Sequence, residues 1–415
     1  MEKLVPELRF SEFEGDWISI KFEDVVVSLD SGVSVNSVDV PISAPGQVGV
    51  LKTSCVLNGK FFPNENKSII DIDVKRAKLN PVVDSVIISR MNTPNLVGES
   101  GYVSKGYDNI FLPDRLWLGQ VDMLKNNSKF FSLMLSSAKL RDILTNIATG
   151  TSNSMKNISK SSFLGISLPF PTLPEQTKIA EFLTAIDKRI ELLTAKKEKL
   201  TLYKKGVMQK IFNQELRFKI DNGHGELVEP PEWEERRLGE VVIINPVSKD
   251  KLPNEFLYID LESVVNGNLV KKSIISRDDA PSRAQRMLEI GDVIFQMVRP
   301  YQQNNYIFRK SLGKPVVAST GYAVLRSDTN SNFVYQLICN QSFTNEVINR
   351  CTGTSYPAIN SKDLGGIIFN YPKSQSEINK IGQFLTSIDA NILSLDNQIT
   401  LNQTYKKGLL QKMFV

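Results

Sequence analysis

The sequence contains one histidine and three cysteines among its 415 residues. Histidine is the commonest general base and the commonest metal ligand, so Ser-His or Cys-His nucleophile pairs and histidine-based metal sites would all depend on His224. His224 lies in the turn-rich polar stretch 221–226, where we expect no catalytic role. Cys55, Cys339 and Cys351 show no CxxC spacing, which fits a reducing compartment and disfavours a cysteine metal cage.

Long hydrophobic runs are also missing. Apolar runs such as residues 25–27 and 86–88 are far shorter than a bilayer span requires. Residues 1–7 are acidic and have no apolar leader core. We therefore expect a soluble cytoplasmic protein with no membrane partner, built from two or three domains at this length.

Nucleotide-binding motifs are missing as well. No GxxxxGK[ST] phosphate loop occurs, because the two Gly-Lys pairs continue with Phe61 and Pro315. The sequence also lacks the glycine-rich turn of S-adenosylmethionine folds, and Asn245-Pro246 is followed by Val247 where a catalytic Asn-Pro-Pro-aromatic tetrapeptide would need proline. We therefore expect neither ATP hydrolysis nor unaided methyl transfer.

The sequence repeats itself at an offset of 202 residues. Upstream, Leu8-Arg9-Phe10 with a later Trp17 is similar to Leu216-Arg217-Phe218 with a later Trp233. The identities of the longest repeated segment are Glu175/Glu377, Lys178/Lys380, Ile179/Ile381, Phe182/Phe384, Leu183/Leu385, Asp187/Asp389, Tyr203/Tyr405 and Gly206/Gly408. Two similar units of about 200 residues are therefore expected.

Each copy of the repeated segment has a seven-residue apolar period, which predicts two long helices that pack as a coiled coil. The predicted seam residues are Ile179, Leu183, Ile186, Ile190, Leu193, Leu200 and Val207 in the first copy, and Ile381, Leu385, Ile388, Ile392, Leu395, Asn402 and Leu409 in the second. Lys197, Lys204 and Lys406 also fall on the seam, where they cost stability but fix register and partner. The alternative is an ordinary amphipathic helix on a domain surface, which the second copy of the seam disfavours.

The rest of each repeat has a different pattern. Short apolar or alternating runs, broken by Gly, Pro, Asn and Asp, fill residues 17–170 and 233–372 and predict mostly β domains. Helical spacing of apolar residues predicts one further helix near 128–147 and a counterpart near 332–351. The predicted fold is α+β, with two mostly-β domains separated by two long helices packed as an antiparallel coiled coil, and a pseudo-twofold internal repeat.

The β domains are rich in side chains that recognise nucleic acids. Residues 271–314 hold 9 basic and 4 acidic side chains, within a chain of net charge +5. Arg, Asn and Gln form bidentate hydrogen bonds with base edges, whereas Lys, Ser and Thr hold phosphates. The candidate DNA-binding residues are Arg277, Arg283, Arg286, Arg299, Tyr301, Gln302 and Asn304 in the second domain, Arg90, Asn92, Lys105 and Arg115 in the first, and Thr151, Ser152, Thr354 and Ser355 in the repeated Thr-Gly-Thr-Ser strings.

These residues resemble a known family, the specificity subunits of type I restriction-modification systems, over essentially the whole chain. The strings that carry the resemblance are Trp233 with Leu238-Gly239-Glu240, Ala280-Pro281-Ser282-Arg283, Gly291-Asp292-Val293-Ile294-Phe295 leading to Val298-Arg299-Pro300-Tyr301, Thr352-Gly353-Thr354, and Pro174-Glu175-Gln176 with Ile179-Ala180-Glu181-Phe182-Leu183. The first domain departs from the family pattern, with Arg90-Met91-Asn92-Thr93-Pro94 in place of Val-Arg-Pro.

The resemblance implies a non-catalytic DNA reader. It implies target recognition domains at 1–172 and 233–373, long spacer helices at 173–213 and 374–415, and a linker at 214–232. The implied partners are double-stranded DNA, two modification subunits that form an adenine-N6 methyltransferase, and two ATP-dependent restriction subunits. S-adenosylmethionine, Mg²⁺ and ATP would belong to those partners and none to this chain, and two unlike domains imply a bipartite, asymmetric target.

Two other functions stay open at this point. A self-sufficient DNA-modifying enzyme would modify DNA as a purified chain. A coiled-coil protein scaffold would give no sequence-selective DNA shift even with its partners present.

The predicted helices are long enough to act as a ruler between two half-sites, at about 57 Å for about 38 residues. Four residues inserted near 193–196 lengthen the first helix by about 6 Å and nearly preserve its helical face. We expect the spacer of the target to grow by roughly one or two base pairs at 3.4 Å each, with both half-sites intact. Mapping of methylated adenines measures this, and an unchanged spacer with normal activity would exclude a ruler role.

Overall fold

The structure is a computed structural model that describes residues 5–150, 155–248 and 251–414. The chain divides into two compact units. Unit 1 comprises Met1–Leu193 and Gln398–Val415, and unit 2 comprises Thr194–Asn397. Among the described residues, no helix combines the length and the apolar character needed to cross a membrane.

Unit 1 holds a β domain and parts of two long helices. Its strands are β1 (Ile18–Lys21), β2 (Val26–Ser31), β3 (Ser37–Val38), β4 (Gly49–Leu51), β5 (Val56–Leu57), β6 (Gly59–Phe61), β7 (Asn66–Ile69), β8 (Ser85–Ser89), β9 (Met91–Asn92), β10 (Ser100–Val103), β11 (Ile110–Phe111), β12 (Leu116–Val121), β13 (Lys156–Asn157) and β14 (Ser167–Phe170). Its helices are α1 (Phe22–Val25), α2 (Ser128–Leu135), α3 (Ala138–Ile147), α4 (Lys160–Leu164) and the first part of α5 (Leu173–Phe212). The strands form a six-stranded sheet in the order β2-β12-β8-β10-β6-β5 and a four-stranded sheet in the order β11-β4-β7-β3.

Unit 2 also holds a β domain and parts of the two long helices. Its strands are β15 (Ile220–Asp221), β16 (Leu227–Val228), β17 (Glu234–Arg237), β18 (Ile243–Ile244), β19 (Glu255–Ile259), β20 (Val264–Val265), β21 (Asn268–Leu269), β22 (Ser273–Ser276), β23 (Ala284–Leu288), β24 (Val293–Gln296), β25 (Tyr306–Ile307), β26 (Val316–Ser319), β27 (Tyr322–Arg326) and β28 (Ile368–Tyr371). Its helices are α6 (Leu238–Val241), α7 (Ser331–Ile338), α8 (Gln341–Asn349), α9 (Ser361–Gly365) and most of α10 (Gln375–Lys412), whose last part lies in unit 1. Two four-stranded sheets run in the orders β18-β27-β24-β25 and β22-β19-β26-β23.

The mixed α+β fold with long helices is as predicted, but one local expectation was wrong. The single helix expected at 128–147 is the pair α2 and α3, and its counterpart is the pair α7 and α8. The side chains of Ser137 and Asn340 cap the second helix of each pair by accepting hydrogen bonds from Leu140 N and Ser342 N, so a new helix begins at each cap. The segment 213–232, expected as a plain linker, contains the hairpin β15–β16 with exposed His224 at its tip.

A buried carboxylate lies in the first turn of each long helix. In unit 1 the Glu175 side chain is 1% exposed and accepts hydrogen bonds from Arg9 Nε and Nη2, both at 2.8 Å, and from Trp17 Nε1 at 3.2 Å. In unit 2 Glu377 accepts from Arg217 Nε at 2.6 Å, Arg217 Nη2 at 2.9 Å and Trp233 Nε1 at 3.1 Å. We call each Arg-Glu-Trp triad a clasp. The clasps explain why Leu8-Arg9-Phe10 and Leu216-Arg217-Phe218 recur before a tryptophan.

Each unit also contains paired segments of α5 and α10. Of the predicted seam residues, Leu193, Leu200, Ile392 and Asn402 are half-buried and the others are buried. In unit 2 Lys204 Nζ lies 2.7 Å from Asp389, and Lys197 pairs with Asp396, so the two segments run antiparallel. In unit 1 Lys406 Nζ lies 2.7 Å from Asp187. The lysines on the seam therefore have a carboxylate on the facing helix.

The clasp generates a stability prediction. Glu377→Gln keeps the side-chain volume but removes the charge that neutralises Arg217, so we expect a loss of about 3–5 kcal/mol in the free energy of unfolding. The exposed Glu235, for which the described residues show no ion pair, supplies the control Glu235→Gln, expected to change stability by less than about 0.5 kcal/mol. Chemical denaturation of both variants measures the difference. Equal losses would show that the clasp contributes nothing particular.

Candidate nucleic-acid interface

The end of β24 is shaped by one buried amide. Gln296 is 2% exposed, and its Nε2 donates to Gln302 Oε1 at 2.8 Å while its Oε1 accepts from Asn304 N at 3.2 Å. Its backbone N–H donates to Asn305 Oδ1 at 2.9 Å. Two of the predicted DNA-binding residues, Gln302 and Asn304, thus stabilise the loop 297–305, Gln302 through its side-chain oxygen and Asn304 through its backbone N–H. Tyr301, on the same loop, is 53% exposed.

Arg299 lies on this loop against a second loop, residues 352–358. Its backbone N–H donates to Pro357 O at 2.7 Å, and its guanidinium carbon lies 4.3 Å from the ring centroid of Tyr356. A bridge between Thr352 and Ala358 closes the second loop. Thr354 and Ser355 are exposed within it, so the structure brings these predicted residues to the same side of the domain as Arg299.

Two further arginines lie next to this region. Thr320 N donates to Arg283 O at 2.8 Å, and Met297 N donates to Gly321 O at 2.9 Å, so the turn 319–321 joins Arg283 to the Arg299 loop. Arg286 is half-buried on β23 opposite Ala318. Burial lowers the pKa of Arg286, and its buried Nε has no hydrogen-bond partner among the described residues.

Arg277 lies elsewhere. It follows β22, whose end Ser276 pairs with Glu255 at the start of β19. Strands β19 and β26 are parallel, so the start of β19, and Arg277 with it, lies at the Val316 end of β26. Arg283 lies at the other end of β26, by Ser319. Nearness in the sequence therefore does not place Arg277 with Arg283 and Arg299.

In unit 1 the structure brings together Arg90 and Arg115. Arg90 N donates to Arg115 O at 3.1 Å, and the Arg90 guanidinium carbon lies 5.8 Å from the centroid of the Trp117 ring. Arg115 is exposed at the start of β12, and Ile158 N donates to Arg90 O at 2.9 Å. This repeats the unit 2 pattern, where Ile359 N donates to Met297 O.

The remaining predicted residues of unit 1 do not join this pair. Lys105 follows β10, which ends at Val103 opposite Ser85. Ser85 is the first residue of β8, whereas Arg90 follows its last residue, so Lys105 and Arg90 lie at opposite ends of the sheet. Asn92 is 8% exposed, and its amide donates to Ser89 Oγ at 3.1 Å. Thr151 and Ser152 lie outside the described residues.

The strand registers align the two units residue by residue. Ser89 pairs with Leu116 and Gln296 pairs with Tyr322, while Asn157 pairs with Met91 and Ala358 bridges to Val298. Arg90 is therefore the equivalent of Met297, and Asn92 is the equivalent of Arg299.

Sequence reasoning missed two features of this surface. Tyr356, 66% exposed and stacked on Arg299, is an aromatic beside Ser355 that nothing in its spacing singles out. In unit 1 a groove of about 420 Å³ brings Lys52 and Lys67 to the same wall as Arg115. Since four separate chain segments form that groove, only the fold could place these lysines with Arg115. Within the described residues, no three His, Cys, Asp or Glu side chains are grouped to share a metal ion.

Parts of the chain are similar in sequence to known proteins. Residues 15–202 match the family model of the type I restriction modification DNA specificity domain. The chain is 25% identical over 292 residues to the MjaVIII specificity subunit of Methanocaldococcus jannaschii, covering 68% of this chain and 65% of that protein. It is 23% identical over 163 residues to the EcoEI specificity subunit of Escherichia coli, covering 39% of this chain and 27% of that protein. The matches thus span less than two thirds of the length of these relatives.

Solved structures share the fold. An S subunit of a type I restriction-modification system from M. genitalium superposes with a TM-score of 0.63 at 18% identity, covering 99% of both chains. A chain from a structural study of complex assembly and conformational transition in the type I R-M system gives a TM-score of 0.53 at 16% identity, covering 96% of this chain and 97% of that one. Residues 15–202 are therefore similar to the type I restriction modification DNA specificity domain, and the predicted resemblance to specificity subunits is confirmed.

The buried amide of the Arg299 loop generates the second structural prediction. Gln296→Leu keeps a similar volume but leaves Asn304 N and Gln302 Oε1 without their partner, so we expect a loss of about 1–3 kcal/mol and faster proteolysis of loop 297–305. The exposed Gln403 supplies the control Gln403→Leu, expected to change neither quantity. Denaturation and limited proteolysis with mass spectrometry measure both. Unchanged cleavage within the loop would show that Gln296 does not hold it.

Proposed function

We propose that this chain is the DNA sequence-recognition subunit of a type I restriction-modification complex and has no catalytic role of its own. The observation that carries the proposal is the Arg299 loop. There a guanidinium stacked on an exposed tyrosine lies beside the exposed hydroxyl residues Thr354 and Ser355. No hydrogen bond or ion pair within the described residues uses that guanidinium. Base edges are read by such arginines, and phosphates are held by such hydroxyls.

The target is proposed to be bipartite and asymmetric. The two units repeat one backbone plan, yet Asn92 in unit 1 stands where unit 2 has Arg299. Different side chains on equivalent backbone positions would read different bases. The recognition domains are proposed at 1–172 and 233–373, the spacer helices at 173–213 and 374–415, and the linker at 214–232.

The proposed partners are two modification subunits and two restriction subunits in the cytoplasm. S-adenosylmethionine, Mg²⁺ and ATP are assigned to those subunits. The support for this part of the proposal is the similarity to specificity subunits, together with the lack of a phosphate-loop motif in the sequence.

Exchange of residues 17–148 for the corresponding segment of a different recognition domain tests the proposal. Since each unit has its own candidate residues, we expect the exchange to change one half-site and to leave the other half-site intact. Mapping of methylated adenines in cells that carry the chimera with its partners reads out both halves.

Three outcomes would contradict the proposal. A change in both halves would exclude independent reading by the two units. Methylation or cleavage by the purified chain alone would point to a self-sufficient enzyme. A complex with no sequence-selective DNA shift would point to a protein scaffold.

A further inference from the structure

The backbone at Arg299 is held in an unusual conformation. Its φ of 54° and ψ of 54° lie in the left-handed region, which non-glycine residues seldom adopt. The following Pro300 further restricts the backbone of Arg299. Two hydrogen bonds hold it: Arg299 N donates to Pro357 O at 2.7 Å, and Gln302 N donates to Arg299 O at 3.0 Å. Strained residues that persist in this way concentrate at binding sites.

Neighbouring groups also position the side chain of Arg299. A distance of 4.3 Å from the Tyr356 centroid is well inside the range of about 6 Å over which a guanidinium and an aromatic face attract. The Nε atom is buried and has no hydrogen-bond partner among the described residues. With the guanidinium over the ring and Nε buried, the two terminal nitrogens are left to act together as a planar fork.

The two terminal nitrogens of the guanidinium match the major-groove edge of guanine better than the edges of the other bases. Guanine presents two acceptors, N7 and O6, on its major-groove edge, and bidentate arginine is the commonest specific contact with them. Adenine presents a donor in place of O6, and cytosine presents a donor. Fixing the guanidinium in advance reduces the entropy lost on binding.

Unit 1 has no arginine at the equivalent backbone position, because its Arg90, whose guanidinium carbon lies 5.8 Å from the Trp117 centroid, is the equivalent of Met297. The equivalent residue Asn92 is buried, and its Oδ1 accepts a hydrogen bond from Thr93 N at 2.9 Å. A guanine contact from this backbone position is therefore expected in one half-site only.

From this geometry we propose that Arg299 reads a guanine in the half-site bound by unit 2, with Tyr356 as the residue that positions it. The inference rests on the proposed DNA-recognition function and names the base read by one residue. It makes Tyr356 a specificity determinant, although the tyrosine need not touch a base itself.

The test uses the assembled complex and duplexes in which each base pair of the mapped target is replaced in turn. Arg299→Ala should cost about 5- to 150-fold in discrimination at a single G·C pair of one half-site, the range for a bidentate contact. Arg299→Lys should keep part of that preference because it retains the charge. Tyr356→Phe should behave as the unsubstituted chain, and Tyr356→Ala should lose about 2- to 5-fold at the same pair.

Arg236→Ala is the matched control, since Arg236 is exposed on β17 and its Nη2 lies 2.7 Å from Glu234. It should leave discrimination unchanged at every pair, and thermal denaturation should show all variants folded. Relaxation at an A·T pair would overturn the guanine assignment. Uniform weakening at all sequences with a smaller salt slope would reassign Arg299 to a phosphate. Equal effects of Tyr356→Phe and Tyr356→Ala would overturn the positioning role, and a complex without any sequence preference would overturn the proposed function itself.

Discussion

Burial of one carboxylate in the first turn of each long helix is the constraint on which each unit depends. A buried ion must be neutralised and hydrogen-bonded, because its desolvation costs several kcal/mol. Among the described residues, Glu175 meets this requirement with Arg9 and Trp17, which precede β1 in the sequence. The clasp therefore connects the segment before the β domain of unit 1 to the helix that follows that domain. In unit 2 Glu377 makes the same connection through Arg217 and Trp233. The hydrogen bond to the Glu175 carboxylate also raises the pKa of Arg9, so the guanidinium stays charged at any physiological pH.

The two units share a scaffold and differ in their loops, for a physical reason. Strand ladders are made by backbone atoms and accept many side chains, so β8–β12 and β24–β27 keep the same register. The loops that follow depend on particular side chains. Ser89 ends β8 with a small hydroxyl, whereas Gln296 ends β24 with an amide that organises the whole of loop 297–305. The loops that follow these two equivalent strands therefore differ although the strands keep the same register.

The sequence predicted the features that depend on local pattern. The repeated Leu-Arg-Phe strings contain the arginines of both clasps, the 202-residue offset relates their glutamates, and the seven-residue period located α5 and α10. The seam lysines, expected to fix register, lie opposite Asp187, Asp389 and Asp396.

Features that depend on strand order were beyond reach of the sequence. Arg277 and Lys105 follow strand ends that point away from Arg299 and Arg90, and no local pattern states which end of a sheet a strand will reach. The equivalence of Asn92 with Arg299 appeared only in the strand registers, because the string 90–94 departs from the Val-Arg-Pro pattern. The DNA contacts of all these residues stay a prediction.

The discontinuity of unit 1 has a consequence for synthesis on the ribosome. Unit 2 is one contiguous stretch, 194–397, whereas unit 1 needs residues 398–414 to cover its helix α5. The apolar face of α5 that carries Ile179 and Leu183 packs in one core with Leu409 and Met413. The N-terminal residues leave the ribosome first. Unit 1, which is synthesised first, therefore completes its fold only after unit 2 has been synthesised. During that interval the nascent chain carries an uncovered apolar stripe, and closure of contacts across some two hundred intervening residues sets a slow final step.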